Sequence, residues 1–281
     1  MAEEFELISS LRYDPLLEAA HHNPDFPHAA WNHTTLSRCY MLDFHRDRLQ
    51  RAAAHWVWND VYSTLSGPAG LDALAALIDR SVRAAGTVDQ AQAVRLSVSR
   101  DGHMAATLRA VSSPATLEDL YPSVLTAPAP AHPAAAEVTE PSFAVRLDHC
   151  ATEPSPFTHY KTTKRDMYNT ARARLGIALA DPVEVLMVSA QGEIMEGSIT
   201  TPFFWRGGRW VTPPIPDAYQ DHKGAGGQDG TTRRWALEQN FAVEETVHID
   251  SIKDGEIIWI SNGVRGFFKA KVQKPAPIRI D

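Results

Sequence analysis

The sequence predicts an α+β fold built in two parts, and three observations carry that expectation. Apolar and polar residues alternate in paired runs joined by turn residues, the mark of antiparallel hairpins. Segments with helical periodicity stand between those hairpins and do not alternate one for one with single strands, which disfavours a doubly wound parallel fold. Near the middle, Thr126–Pro141 (TAPAPAHPAAAEVTEP) is made of Ala, Pro and other small residues, a composition that reads as an extended linker or surface loop. Residues 1–125 are therefore expected to form a smaller α+β domain, 126–141 a linker and 142–281 a larger domain.

The elements follow in order. Phe5–Tyr13 (FELISSLRY) has the β-branched and apolar content of a strand, and Asp14–Thr35, rich in His, Asn and Pro, reads as a loop. Cys39–Trp56 (CYMLDFHRDRLQRAAAHW) reads as a strand running into a helix. On that helix Leu49, Ala52 and Ala53 stand at i, i+3 and i+4, which buries one face and turns Arg46, Asp47 and Gln50 outward. A second helix is expected at Gly70–Ala85, then a hairpin over Ala93–Val111 turning at Asp101-Gly102. Past the linker come a strand at Ser142–Asp148 and a helix at Lys164–Gly176 stopped by its glycine. Two hairpins turn at Gln191-Gly192 and Gly207-Gly208; a short helix covers Thr231–Asn240 and a buried strand Glu256–Gly263.

Composition narrows the function. The chain of 281 residues carries 27 Lys and Arg against 34 Asp and Glu, a net charge of −7, and an acidic chain is a poor binder of a phosphate backbone. No nucleic-acid partner is expected, nor a membrane span, since no run approaches 18 uncharged apolar residues. The acidic start MAEEFELISS is unlike a signal or transit peptide, and with only Cys39 and Cys150 there is no disulfide framework. Both point to the cytoplasm. The 12 His residues form no set with ligand spacing, so no metal is expected.

Three segments of the second half pair a strand end or helix start with small, hydroxylated or charged residues. They are His159–Arg165 (HYKTTKR), Glu196–Thr201 (EGSITT) and Gly226–Arg233 (GGQDGTTR). The last is a Gly-rich turn opening onto a helix, whose free N–H groups and dipole suit a phosphate; it lacks the Gly-Lys-Ser/Thr ending of a nucleotide loop. Singly, each has a plain structural explanation: a solvated lysine, an edge glutamate, an ordinary turn. The same holds for His45, read as a satisfied structural histidine, and for Trp205, Trp210 and Trp235, read as core.

In their order these segments resemble the fold-type IV pyridoxal-phosphate enzymes, the class IV aminotransferase superfamily of D-amino-acid and branched-chain aminotransferases and aminodeoxychorismate lyase. His45–Leu49 (HRDRL) is similar to the family's His-x-x-Arg-Leu helix, and Lys161-Thr162-Thr163 with Arg165 to its Schiff-base lysine segment. Glu196-Gly197-Ser198 is similar to the pyridine-nitrogen segment, Gly230–Arg233 to the phosphate turn, and Asn262–Gly266 (NGVRG) to the last cofactor strand. The resemblance implies a two-domain D-amino-acid aminotransferase-like architecture, pyridoxal 5'-phosphate as cofactor, a small-molecule amine substrate and a homodimer. It implies Lys161 as the catalytic lysine and Arg48, Glu196, Ser198, Thr200, Thr231, Thr232, Asn262 and Gly263 as cofactor-binding residues. A carboxylate at Glu196 would keep the pyridine nitrogen protonated, because a nearby negative charge favours the cation. Substrate carboxylates would fall to Arg12, Arg95 and Arg265.

Within the group the chain most resembles aminodeoxychorismate lyase, on Phe5–Leu7 with Ser9–Arg12, on His159–Arg172 (HYKTTKRDMYNTAR) and on Ser261–Phe267 (SNGVRGF). That likeness implies loss of pyruvate from 4-amino-4-deoxychorismate to form p-aminobenzoate, a step of folate synthesis. The alternative is an aminotransferase acting on D-amino acids, branched-chain amino acids or amines; a relative without turnover is disfavoured because both Lys161 and Glu196 are kept. Arg100–His103 (RDGH) has the wrong spacing for the Arg-x-His carboxylate trap of D-amino-acid aminotransferases and reads as a turn. The chain departs from the family at Thr201, where Asn is common, and in the lengthened loop Ile215–Gly224.

Overall fold

In the computed structural model, which describes residues 4–19, 31–32, 35–111, 114–128, 141–221 and 223–274, the first expected strand forms as β1 (Leu7–Tyr13). The segment read as loop contains one helical turn, α1 (Leu16–Ala19), and the two-residue strands β2 (Trp31–Asn32) and β3 (Thr35–Leu36). The strand expected from Cys39 does not form beyond a single bridge between Cys39 and Tyr13. Met41 adopts a left-handed backbone (φ 51°) and the chain turns directly into α2 (Leu42–His55). On α2, Leu49, Ala52 and Ala53 are buried while Arg46, Asp47 and Gln50 are half-buried, as their spacing requires. The short α3 (Asn59–Thr64) has too few apolar positions to announce itself. In α4 (Gly67–Ala84), Leu71, Leu74, Ile78 and Val82 form the buried stripe.

The hairpin pairs β4 (Gln92–Val98) with β5 (Met104–Ala110), turning where Gly102 takes φ 86°. β1 joins the other side of β4, giving a three-stranded antiparallel sheet in the order β1-β4-β5, against which α2 and α4 pack. A capped turn, α5 (Leu117–Leu120), follows.

Beyond the Ala/Pro stretch, of which residues 129–140 lie outside the described residues, the chain builds an eight-stranded sheet. Its elements are β6 (Phe143–Ala151), α6 (Pro156–His159), α7 (Asp166–Arg174), β7 (Val183–Val188), β8 (Ile194–Gly197) and β9 (Thr201–Arg206). They continue with β10 (Arg209–Thr212), α8 (Thr231–Glu238), β11 (Val243–Glu244), β12 (Ile257–Asn262) and β13 (Gly266–Val272). The order is β11-β10-β9-β12-β13-β6-β7-β8. Four of the seven neighbouring pairs are antiparallel, but β10–β11, β13–β6 and β6–β7 are parallel, with α6 and α7 crossing between β6 and β7. A run of hairpin turns does not disclose that crossover. Trp210 and Trp235 are buried in the core, as expected of them. Among the described residues no helix is long and apolar enough to cross a membrane.

β1 ties the two sheets together. Ile8 N donates to Lys161 O (3.0 Å), Thr163 N to Glu6 O (3.0 Å) and, at the other end, Arg12 N to Gly263 O (2.8 Å). The turn between β12 and β13 also leans on α5: a side chain at Gly266 (φ 76°) would place its Cβ 2.1 Å from Asp119 O. We expect Gly266→Ala to cost at least about 2 kcal/mol, from the disfavoured backbone and the clash together. A lowered thermal midpoint checks this, and an unchanged one would show that the turn does not pack as described.

Candidate active site

A cavity of about 390 Å³ opens between the two sheets. Lys161, Glu196, Arg48, Thr231, Thr232, Asn262 and Gly263 all reach its wall, as do Arg95 and Arg265. Lys161 is delivered by the pairing of its segment with β1, while Glu196 lies on β8, opposite Met187 of β7. Burial disfavours both charges: it pushes the Lys161 amine down, with Arg48 and Arg165 adding to the effect, and pushes the Glu196 carboxyl up. The Tyr168 hydroxyl stands 2.5 Å from Glu196 Oε1, and Gln228 Nε2 donates to that hydroxyl at 3.1 Å.

On the opposite wall α8 starts at Gly230, whose missing side chain matters: a Cβ would lie 2.6 Å from Thr201 Oγ1 and 3.8 Å from Arg48 Nη2. The first helical bond runs from Arg234 N to Gly230 O (2.9 Å), which leaves the N–H groups of Thr231, Thr232 and Arg233 without a helical acceptor. Arg48 reaches this helix start from α2 and donates one N–H to Asp229 O (2.9 Å); burial pulls its guanidinium down to about 10. The Asp229 carboxylate binds Arg51 (2.9 Å) and Arg233 (3.0 Å). Although burial works the other way, those cations hold it below the usual carboxylate range.

Beneath the cavity, the Ser9 hydroxyl and His45 Nδ1 are 2.7 Å apart and Thr231 Oγ1 is 3.4 Å from His45 Nε2. Burial, then Arg48 and Lys161, holds this imidazole neutral. His45 is thus the satisfied structural histidine its place suggested. It also explains Gly263, where a Cβ would lie 2.7 Å from the imidazole and 2.6 Å from Ser10 O.

Several assignments change. Arg12, expected to hold a substrate carboxylate, does not reach the cavity: it is 2% exposed and paired with Asp14 at 2.7 Å. Its Nη1 also supports the β12–β13 turn through Val264 O (3.4 Å). Ser198 and Thr200 border the cavity, but their hydroxyls donate to the buried Glu184 at 2.6 and 2.7 Å, an acceptor shared with the N–H groups of Ser198 and Ile199. Asn262 spends its side-chain oxygen on Val264 N (3.0 Å) and Arg265 N (2.9 Å), shaping the turn. Thr232 Oγ1 is 2.8 Å from Ser261 Oγ. Arg100–His103 forms the β4–β5 turn, as read.

Arg109 and Glu184 carry no motif in the sequence, and Arg165 and Gln228, which lie within the segments singled out there, have no role assigned to them. Arg109 was within reach: the turn at Asp101-Gly102 fixes the hairpin register, which sets Ala93 opposite Arg109 and Arg95 opposite Thr107, and all four line the cavity. Glu184 gave no signal, because nothing in a strand pattern tells that a carboxylate will fold back onto a turn 14 residues later.

An amine whose charged form is disfavoured sheds its proton at lower pH than a solvated lysine. In cofactor-free protein, Lys161 is expected to reach half-maximal reductive methylation at least about one pH unit below a free solvated lysine added as reference. Arg165→Gln removes a cation that disfavours the ammonium, so the Lys161 midpoint moves upward. Peptide mass spectrometry over stepped pH reads both, and coincident midpoints for the two lysines would contradict the burial described.

The comparisons with known proteins fall on this architecture. The family model for class IV amino-transferases matches residues 33–272. The aminodeoxychorismate lyase of Saccharomyces cerevisiae is 30% identical over 135 residues, 42% of this chain and 34% of that protein. A candidate aminodeoxychorismate lyase of Schizosaccharomyces pombe is 29% identical over 118 residues, 41% of this chain and 48% of its own. The matched stretches thus span between a third and a half of those relatives' lengths. Among solved structures, a candidate amino-acid aminotransferase from Mesorhizobium loti superposes with TM-score 0.63 at 22% identity, covering 95% of this chain and 99% of that one. A hypothetical aminotransferase from Mycobacterium tuberculosis, solved in its PLP-bound form, gives 0.57 at 15% identity over 97% and 84%. With the family model matching most of its length, the chain belongs to the class IV aminotransferase family of pyridoxal-phosphate-dependent enzymes.

Proposed function

We propose that this enzyme is a 4-amino-4-deoxychorismate lyase, which releases pyruvate and leaves p-aminobenzoate. The observation that carries the reading is the charge of the cavity. Six of its lining residues are cationic, Arg48, Arg95, Arg109, Lys161, Arg165 and Arg265, against the single acid Glu196, in a chain whose net charge is −7. Such a site suits a dianionic cofactor together with a substrate bearing two carboxylates. The two lyase-named relatives support the same substrate.

The residues fit pyridoxal phosphate. Arg48 and the unbonded N–H groups at the start of α8 would hold the phosphate, against a helix start that only Gly230 leaves open. Glu196 would face the ring nitrogen. The cofactor, when bound, supplies an electron sink for the carbon that bears the amine. Lys161, whose ammonium form burial disfavours, is suited to bind the cofactor and then to take the C4 proton of the substrate. Tyr168 and Gln228 orient the Glu196 carboxyl, so that its proton or charge sits at a defined atom. The balance is internal: the substrate loses the C4 proton and the enolpyruvyl group, which leaves as pyruvate, and its ring becomes aromatic. No amino acceptor is consumed.

Supplying aminodeoxychorismate to the loaded enzyme with no keto acid is expected to yield p-aminobenzoate and pyruvate in equal amounts. Turnover only with a keto acid and a simple amine would establish an aminotransferase instead. Borohydride is expected to fix the cofactor on Lys161. Lys161→Ala should lose at least about 10³-fold in rate, and Glu196→Gln about 10²-fold, from the loss of charge at the ring nitrogen. Wild-type activity in both variants would displace the site.

A further inference from the structure

We propose that the cavity holds two separate carboxylate subsites, a proximal one formed by Arg95 and Arg165 beside Lys161 and a distal one formed by Arg109 and Arg265, so that it selects amines bearing two carboxylates. The proposal rests on the reading of the Lys161 cavity as the active site.

β1 serves as a ruler. Ile8 is bonded to Lys161, Ser10 pairs with Arg95, and Arg12 pairs with Ala93, which pairs in turn with Arg109. At about 3.4 Å per residue, the Arg95 level lies about 7 Å along the sheet from the Lys161 level, and the Arg109 level about 14 Å. Arg109 is also one strand further out, on the edge strand β5. The second half supplies a partner at each level. Arg165 follows Lys161 by four residues and donates to Ser198 O at 3.5 Å, beside Glu196. Arg265 belongs to the turn that bonds Arg12 through Gly263 O, and its guanidinium lies 4.7 Å from the Phe143 ring centre, which holds it against the wall.

Among the described residues, the side chains of Arg95, Arg109 and Arg265 have no acidic or hydrogen-bonding partner. Guanidiniums gathered without counter-charge raise the local potential and serve an anion that enters. Their mutual effects sort into the same pairs: beyond burial, Arg109 is what lowers Arg265, while Arg95 lowers both Arg165 and Lys161. A guanidinium pair can grip a carboxylate with two forks of paired N–H donors, where a single guanidinium turns one fork to it. In aminodeoxychorismate the enolpyruvyl carboxylate is carried on the ring carbon next to the amine, and the ring carboxylate lies across the ring from it. The proximal pair therefore takes the first and the distal pair the second.

The test is calorimetric binding of unreactive probes to the cofactor-loaded enzyme. The probes are 3-(1-carboxyvinyloxy)benzoate, which has both carboxylates, and 2-phenoxyacrylate, which lacks the one on the ring. Arg109→Gln and Arg265→Gln are expected to weaken the dicarboxylate at least about tenfold and to leave 2-phenoxyacrylate unchanged, whereas Arg95→Gln weakens both. Arg109 is exposed, so its variant should keep the wild-type thermal midpoint. Unaltered dicarboxylate binding in both distal variants, an equal loss for both probes, or no dicarboxylate binding by the wild type would overturn the proposal. Because no probe is turned over, the expected pattern would persist if the enzyme proved to be an aminotransferase for dicarboxylates, and only the lyase reading would then fall.

Discussion

The attachment of β1 to the lysine segment is the constraint on which the rest of the molecule depends. A strand has two edges, and β1 spends one on β4 and much of the other on residues more than 150 positions away. The bonds from Ile8 N to Lys161 O and between Glu6 and Thr163 place Lys161 at the seam of two sheets. The bond from Arg12 N to Gly263 O closes the same seam at its far end. Leu7 and Leu11, on the other face of β1, are fully buried against α2 and α4, which makes the strand hard to shift. The cavity is what remains on the free face, and its dimensions follow from strand spacing more than from any loop.

That geometry also explains how an acidic protein accommodates anionic ligands. Net charge describes the surface, whereas the cavity collects its cations from four separate segments: Arg48 from α2, Arg95 and Arg109 from the hairpin, Lys161 and Arg165 from the α6–α7 region, and Arg265 from the last turn. Burial would be costly for such a group without partners. Asp229 offsets Arg51 and Arg233 at the start of α8, and Glu184 meets Arg172 at 3.5 Å below the Ser198 turn. Among the described residues the side chains of Arg95, Arg109 and Arg265 are left uncompensated, and in the binding scheme proposed above it is the substrate that neutralises them.

Much of the fold was legible because most elements carry local signals. β1, the β4–β5 hairpin, α4, α7 and α8 follow from periodicity, glycine turns and helix stops. What escaped is non-local. The crossover from β6 to β7 depends on which strands meet, and β13 (GFFKAKV) follows so closely on β12 that the pair reads as one buried strand and its tail. At the site, Lys161, Glu196 and Arg48 stand in separate motifs of the sequence, and the fold brings all three to the wall of one cavity. Arg12 was misassigned because an arginine on a strand near the motifs is indistinguishable from one in the pocket until Asp14 is seen beside it. Ser198 and Thr200 kept their positions at the wall, but their hydroxyls point to Glu184, a partner that only tertiary structure reveals.

The central claim is that one cavity, laid out along β1, orders the phosphate, the reactive amine and two carboxylates in a row. The measurement that tests it most directly is a crystal structure of the cofactor-loaded enzyme with 3-(1-carboxyvinyloxy)benzoate bound. The account predicts the phosphate between Arg48 and the start of α8, the ring nitrogen at Glu196, one carboxylate at Arg95 and Arg165 and the other at Arg109 and Arg265. A phosphate seated away from Arg48 and Thr231, or a ring nitrogen that meets no acid, would contradict it.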